Sequence, residues 1–312
     1  MDILSFGIIV TDMIIKPVTP ELFQRDDTLV DFTTHPGGDG CNVCLNAAAM
    51  GMEAALVTAV GEDALSGFLR GYLEGHGVDT SYVAGLPDCP TGVSFVLTQP
   101  DGERHFLTSV DILDRIDPDQ VTDDMLAKTK FLTVNSFFAL PRMEGERGTA
   151  LMKRAKEMGV RTALDTIPCK AGHVFDSIFD VLPYTDIFIP SYEEAVAITG
   201  KETPEEMAAA MQKYGFDIFG VKLGSDGCFV TDYKDSFRIP AAKVPKVVST
   251  VGAGDTFFAG FITAQVRGMG LRDSALFATA AASLTVQVPG ASGGVKSFDQ
   301  VDAVFRELRD AL

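Results

Sequence analysis

Residues 249–261 combine a potential base with a potential anion site. Ser249-Thr250-Val251-Gly252-Ala253-Gly254-Asp255-Thr256-Phe257-Phe258-Ala259-Gly260-Phe261 follows the strand-like pair Val247-Val248 and continues at once as a helix. Small residues let main chain approach a ligand closely, and the first turn of a helix carries unpaired N–H groups at the positive end of its dipole. Gly252, Ala253 and Gly254 therefore read as an anion hole. The same field should lower the pKa of Asp255, leaving it ionised and able to take a proton from a hydroxyl. A tight loop with Asp255 as N-cap explains these residues without any chemistry.

Three further stretches could carry function. Pro36-Gly37-Gly38-Asp39-Gly40-Cys41-Asn42 opens a helix of small residues, and taken alone it is a glycine loop ahead of a core helix. Val221-Lys222-Leu223-Gly224-Ser225-Asp226-Gly227 joins two strand-like runs, as any hairpin with two glycines can. In Pro190-Ser191-Tyr192-Glu193-Glu194, Ser191 as N-cap and Glu194 three residues on make a capping box. Cys41-x-x-Cys44 has a redox spacing but no second pair, so it reads as helix packing. His35, His76, His105 and His173 show no ligand spacing. No Gly-x-x-x-x-Gly-Lys-Ser/Thr loop occurs, and nothing like Gly-x-Gly-x-x-Gly follows the first strand, which argues against a P-loop ATPase and a dinucleotide oxidoreductase.

The elements that must hold these residues alternate. Ile3–Val10, Ala54–Val60, Phe131–Val134, Arg161–Leu164, Asp186–Ile189 and Ile218–Lys222 read as strands. Helical patterns span Asn42–Met50, Leu65–Glu74, Gly145–Met158, Glu193–Thr199 and Glu205–Tyr214. Continuous apolar strands between helices imply a mostly parallel sheet covered on both faces, hence an α/β three-layer αβα sandwich. Thr91–Leu97 and Glu103–Ser109 flank Pro100-Asp101-Gly102 as a hairpin. With Met13–Thr33 it predicts a small β lid formed by about 13–35 and 91–110. Beyond Phe216, short strands near Gly227–Thr231 and Phe237–Ile239 precede helices at Thr256–Arg267, Asp273–Val286 and Phe298–Leu312.

Composition narrows the class. The 312 residues suit one large domain, and 26 Lys+Arg against 43 Asp+Glu give a net charge of −17, which disfavours nucleic acid as a partner. The longest apolar candidate, Leu276–Val288, is interrupted by Thr279, Ser283, Thr285 and Gln287, so no membrane span is expected. An early acid and no basic leader argue against a secretory signal. Five scattered cysteines fit a reducing compartment, with the cytoplasm as the expected location.

From Asp12 to about Gly294 the chain resembles the ribokinase-like (PfkB) carbohydrate kinases. Residues 249–261 resemble the family's C-terminal Asp-Thr-x-Gly-Ala-Gly-Asp signature, and Gly37-Gly38 with Asn42 its N-terminal one. The resemblance implies Asp255 as the base and the 252–254 amides around the phosphoryl group in flight. It likewise implies Asp12, Gly37, Gly38, Asp39 and Asn42 around the sugar, in a polar pocket at the strand ends. Lys222, Gly224, Ser225 and Gly227 fall where the family contacts ATP, and Glu194 where it organises Mg2+. Two departures matter. Ser249 replaces an acid that helps hold an activating monovalent cation, which puts potassium in doubt. Asp165 begins Thr166-Ile167-Pro168-Cys169-Lys170 rather than the family's Asp-Pro-Asn-x-Arg run, and Lys170 is given no role.

The middle strand ends in Asn135 and Ser136 without the glutamate that ribokinase has there, which weakens ribose. No Arg or Lys clusters beside Asp12 and Asn42, so an unphosphorylated sugar, sugar acid or polyol is expected ahead of a phosphosugar. Arg104 and His105 of the lid keep the sugar acid in view. A nucleoside kinase of the same fold, or a non-catalytic sugar- or nucleotide-binding protein, are the alternatives. A homodimer through the lid is expected.

Overall fold

The computed structural model describes residues 1–24, 26, 28–100, 103–167 and 175–312. The first part of the chain runs β1 (Ile3–Phe6), β2 (Val10–Lys16), β3 (Asp31–Gly37), α1 (Asp39–Ala49), β4 (Ala54–Gly61), α2 (Ala64–Gly75), β5 (Val83–Leu86), β6 (Val93–Thr98) and β7 (Arg104–Ser109). There follow α3 (Asp123–Leu126), β8 (Phe131–Val134), α4 (Glu146–Glu157), β9 (Arg161–Leu164), β10 (Ile187–Phe188), α5 (Tyr192–Thr199) and α6 (Pro204–Met211). The last part holds β11 (Ile218–Lys222), β12 (Cys228–Thr231), β13 (Ser236–Ile239), α7 (Ala253–Val266), α8 (Leu271–Thr285) and α9 (Phe298–Ala311).

Nine strands form the main sheet in the order β13-β12-β11-β10-β9-β8-β1-β4-β5. All pairs are parallel except β11–β12 and β12–β13. Alternate residues face opposite layers. Ile3, Phe131, Ala163, Ile187 and Ile218 pack with α1, α2, α7, α8 and α9. Leu4, Leu132, Leu164, Phe188 and Phe219 pack with α3, α4, α5 and α6. Both side-chain faces are therefore buried, which is why these strands read as unbroken apolar runs. Strand order runs outward in opposite directions from β1 and β8, and the crevice beyond their carboxyl ends is the place where such sheets bind ligands.

Two expectations are corrected here. The apolar run 3–10 is not one strand: β1 stops at Phe6, and β2 begins at Val10 in a separate sheet. The break serves a close approach, because a Cβ on Gly7 would stand 2.9 Å from the Cα of Gly40 in the first turn of α1. Val247-Val248 forms no strand; both valines are exposed in the loop before α7. The edge strand β5 was not anticipated.

The second sheet has the order β3-β2-β6-β7. Its strands span 10–37 and 93–109, three residues earlier than expected at the start. The β6–β7 hairpin pairs Val93 with Ser109 through Thr98 with Arg104, while Asp101 and Gly102 of the expected turn lie outside the described residues. On one face Phe32, Phe95 and Leu107 are apolar and exposed, while Phe106, paired with Val96, is exposed on the opposite face, the one that carries Asp12. No described helix is long and apolar enough to cross a membrane.

Candidate active site

Two helix N-termini meet at the switch point. Gly252 caps α7 with φ 74°, and a Cβ there would fall 2.2 Å from the carbonyl oxygen of Ala291, so the turn admits glycine alone. The Ala253 amide is used internally, donating to the Thr250 carbonyl at 3.3 Å. The amides of Gly252, Gly254 and Asp255 meet no acceptor among the described residues. The unpaired donors are thus 252, 254 and 255, a set shifted from the expected 252–254. Anionic oxygens placed against them would also gain from the helix dipole.

From the other side comes α1, whose entry is Gly38 with φ 93°. Asn42, buried on its first turn, donates from Nδ2 to Oδ2 of Asp255 at 2.7 Å. This bond joins the two glycine-led helix starts. Asp39, three residues before Asn42 and on the same helix face, accepts from the Ser136 hydroxyl at 2.7 Å. Asp12 sits on β2 against Gly37, where a Cβ would overlap its carboxyl at 2.2 Å. Asp12, Gly37, Gly38, Asp39 and Asn42 are therefore one neighbourhood, as expected.

The electrostatics differ from the expectation for Asp255. Burial pushes its carboxyl above the usual range, while the Asn42 hydrogen bond and the Lys222 charge oppose the rise and Glu194 adds to it. Dehydration outweighs the helix-end field. Burial alone pushes Asp12 up to about 6.

Lys222 ends β11 but does not project with the turn that follows it. Its Nζ hydrogen-bonds both carboxylate oxygens of Asp165, at 2.7 and 2.8 Å, and lies 3.6 Å from where a Gly254 Cβ would stand. Burial, which disfavours the ammonium, is outweighed by Asp165, Glu194 and Asp255, so Lys222 keeps its proton. Burial raises Asp165, and Lys222 opposes that. Gly224 and Ser225 are exposed in the turn between β11 and β12, with Gly227 half-buried at its close. The structure thus separates Lys222, at the start of α7, from the other three residues with which the sequence grouped it.

Glu194 completes the expected capping box. Its Oε2 accepts from the Ser191 amide and from the Thr166 hydroxyl, both at 2.8 Å, and its own amide donates to the Ser191 Oγ at 3.4 Å. No cluster of three metal-ligating side chains exists among the described residues. A single buried carboxylate still suits Mg2+, which keeps most of its waters and takes its remaining ligands from phosphates.

Sequence reasoning missed four contacts. Ser136 to Asp39, Asp165 to Lys222 and Thr166 to Glu194 each join distant strand ends. In the fourth, Nη1 and Nη2 of Arg104 on β7 both lie 3.4 Å from Oγ of Ser249, which links the small sheet to the loop before α7. Lys170, Cys169 and His173 lie outside the described residues.

Comparison with known proteins agrees with this geometry. The model of the pfkB family carbohydrate kinases matches residues 1–297, and the chain belongs to that family. It is 28% identical to a probable chloroplastic fructokinase-6 of Arabidopsis thaliana, over 99% of this chain and 83% of the relative. It is 27% identical to a 2-dehydro-3-deoxygluconokinase of Thermoproteus tenax, over 89% of this chain and 87% of the relative. The structure of Arabidopsis thaliana ribokinase complexed with ribose and ATP superposes with a TM-score of 0.83 at 25% identity, covering 98% of each chain. The fold is ribokinase-like, and the protein is a phosphotransferase of the ATP-dependent carbohydrate kinases.

Proposed function

We propose that this kinase transfers the γ-phosphoryl group of ATP to a hydroxyl of a small unphosphorylated sugar, sugar acid or polyol. The observation that carries the reading is the Asn42–Asp255 hydrogen bond, which places a carboxylate between the polar neighbourhood of α1 and the unpaired amides of α7. Asp255 takes the hydroxyl proton as the oxygen attacks phosphorus and ADP departs. The amides of Gly252, Gly254 and Asp255 and the Lys222 ammonium stabilise the charge on the transferring group. Glu194 would hold Mg2+ through the ion's waters, and the ion would supply charge neutralisation on the phosphates.

Asp12, Asp39 and Asn42 receive the acceptor's hydroxyls. Two carboxylates beside it would repel a phosphorylated sugar, while Arg104 reaches Ser249 in the loop before α7. The names of the relatives support a sugar or sugar acid. Mg-ATP with a panel of sugars, sugar acids, polyols and nucleosides tests this reading. Acceptor-dependent ADP release is expected with a member of the first three classes. Turnover of nucleosides alone would overturn the acceptor class, and no turnover would favour a binding protein.

The small sheet serves as a lid over the acceptor and pairs with a second copy through its apolar side, in a cytoplasmic homodimer. Phe32 and Leu107 stand 55% and 59% exposed there beside Phe95, an exposed apolar cluster of the kind that marks an interaction surface. Leu107→Asp is expected to convert the dimer to a monomer by light scattering coupled to size exclusion. A monomeric wild type would contradict the pairing.

A further inference from the structure

Among the described residues, only Ser136 and Tyr233 combine a side chain with a left-handed backbone, at φ 61° and 66°. Tyr233 lies in the surface turn between β12 and β13. Ser136 follows β8 directly at the switch point and is fully buried. Glycine would adopt this conformation without strain, and backbone strain of this kind persists where the surroundings require a particular placement. Here the placement aims the Ser136 hydroxyl at Asp39.

Oδ2 of Asp39 is occupied by that hydroxyl, whereas Oδ1 receives no hydrogen bond from any described residue. We propose that Ser136 is a positioning residue of the acceptor site: by occupying Oδ2 it turns Oδ1 of Asp39 toward the cleft as the acceptor for one sugar hydroxyl. This rests on the reading of the cleft as a sugar kinase site and assigns a division of labour between its two close carboxylates. Asp39 orients the sugar, and Asp255 removes the proton.

The charges around Asp39 show why a hydroxyl is needed. Asp255 faces it from α7, Asp165 from the end of β9, and Lys222, already engaged by Asp165, from the end of β11. Burial and Asp255 push the Asp39 carboxyl upward, and the Ser136 hydrogen bond opposes them. Without that hydroxyl Asp39 holds its proton to higher pH, and a protonated carboxyl accepts a hydroxyl more weakly than a carboxylate does.

The test uses the full chain with 13C-labelled Asp carboxyls, the Asp39 resonance being the one lost in Asp39→Asn. In Ser136→Ala and in Ser136→Gly the midpoint of this resonance should move to higher pH. With the acceptor found by the panel, its KM at neutral pH should rise roughly tenfold or more in both variants, as expected for losing a hydrogen bond to a charged group. The KM for ATP should change less than about twofold. Glycine separates the hydroxyl from the strain, since it relieves one and lacks the other. An unmoved Asp39 midpoint, or a glycine variant with wild-type acceptor KM, overturns the proposal. If the wild type phosphorylates nothing, the kinase reading fails while the carboxyl titration still decides the role of Ser136.

Discussion

Asp255→Asn is expected to lower kcat by roughly 10²–10⁴-fold, the range for losing a positioned general base. The amide keeps the side chain's size, and the unpaired amides of α7 are main chain, so ATP affinity should stay near wild type. The pH dependence follows from burial. A base works only when unprotonated, and the Asp255 carboxyl lies above the usual carboxylate range. As pH falls, kcat should therefore begin to drop at a higher pH than an exposed aspartate would give, and the residual activity of the variant should lack that limb. Steady-state rates from about pH 4 to 9, wild type against variant, check both statements. Wild-type kcat in the variant would remove Asp255 from the chemistry.

Lys222→Met should have the second largest effect, and through two routes that one further variant separates. Loss of the ammonium beside the first turn of α7 should cost about 10²–10³-fold in kcat, comparable to losing one donor to developing charge. It also strands Asp165, whose side chain is 4% exposed, without its cation. Breaking one half of a buried pair typically costs about 3–5 kcal/mol. Lys222→Met combined with Asp165→Asn removes the stranded charge. Urea unfolding should then show most of the stability recovered, with the rate still low. A double variant that recovers both would make the pair purely structural.

The layers were legible in the sequence because burial on both faces writes itself as continuous apolar runs. Phe131–Val134, Arg161–Leu164 and Ile218–Lys222 coincide with β8, β9 and β11 residue for residue. The same continuity hid the end of β1, since Ile8, Ile9 and Val10 stay buried after the chain has left the main sheet. β5 escaped because a four-residue edge strand, Val-Ala-Gly-Leu, has too little apolar surface to announce itself.

The site was legible where residues close in sequence act together, as in Gly252 to Asp255 and in Gly37 to Asn42. It was opaque where sheet order makes the contact. Ser136 meets Asp39 across 97 positions, Lys222 meets Asp165 across 57, and Thr166 meets Glu194 across 28. Only the placement of β8, β9, β10 and β11 side by side brings these pairs to one edge. The sign of the Asp255 shift was misread for a related reason. A helix start can be seen in sequence, whereas the depth at which the fold buries it cannot.

The central claim concerns one carboxylate, one hydroxyl and one phosphate, and a crystal structure with a non-hydrolysable ATP analogue and the identified acceptor measures all three. The reactive hydroxyl should lie within about 3.2 Å of an Asp255 oxygen and in line with the γ-phosphorus. The terminal phosphate should rest on the amides of Gly254 and Asp255. A reactive hydroxyl bound to Asp39 or Asp12, with Asp255 out of reach and its helix start unoccupied, would contradict the account.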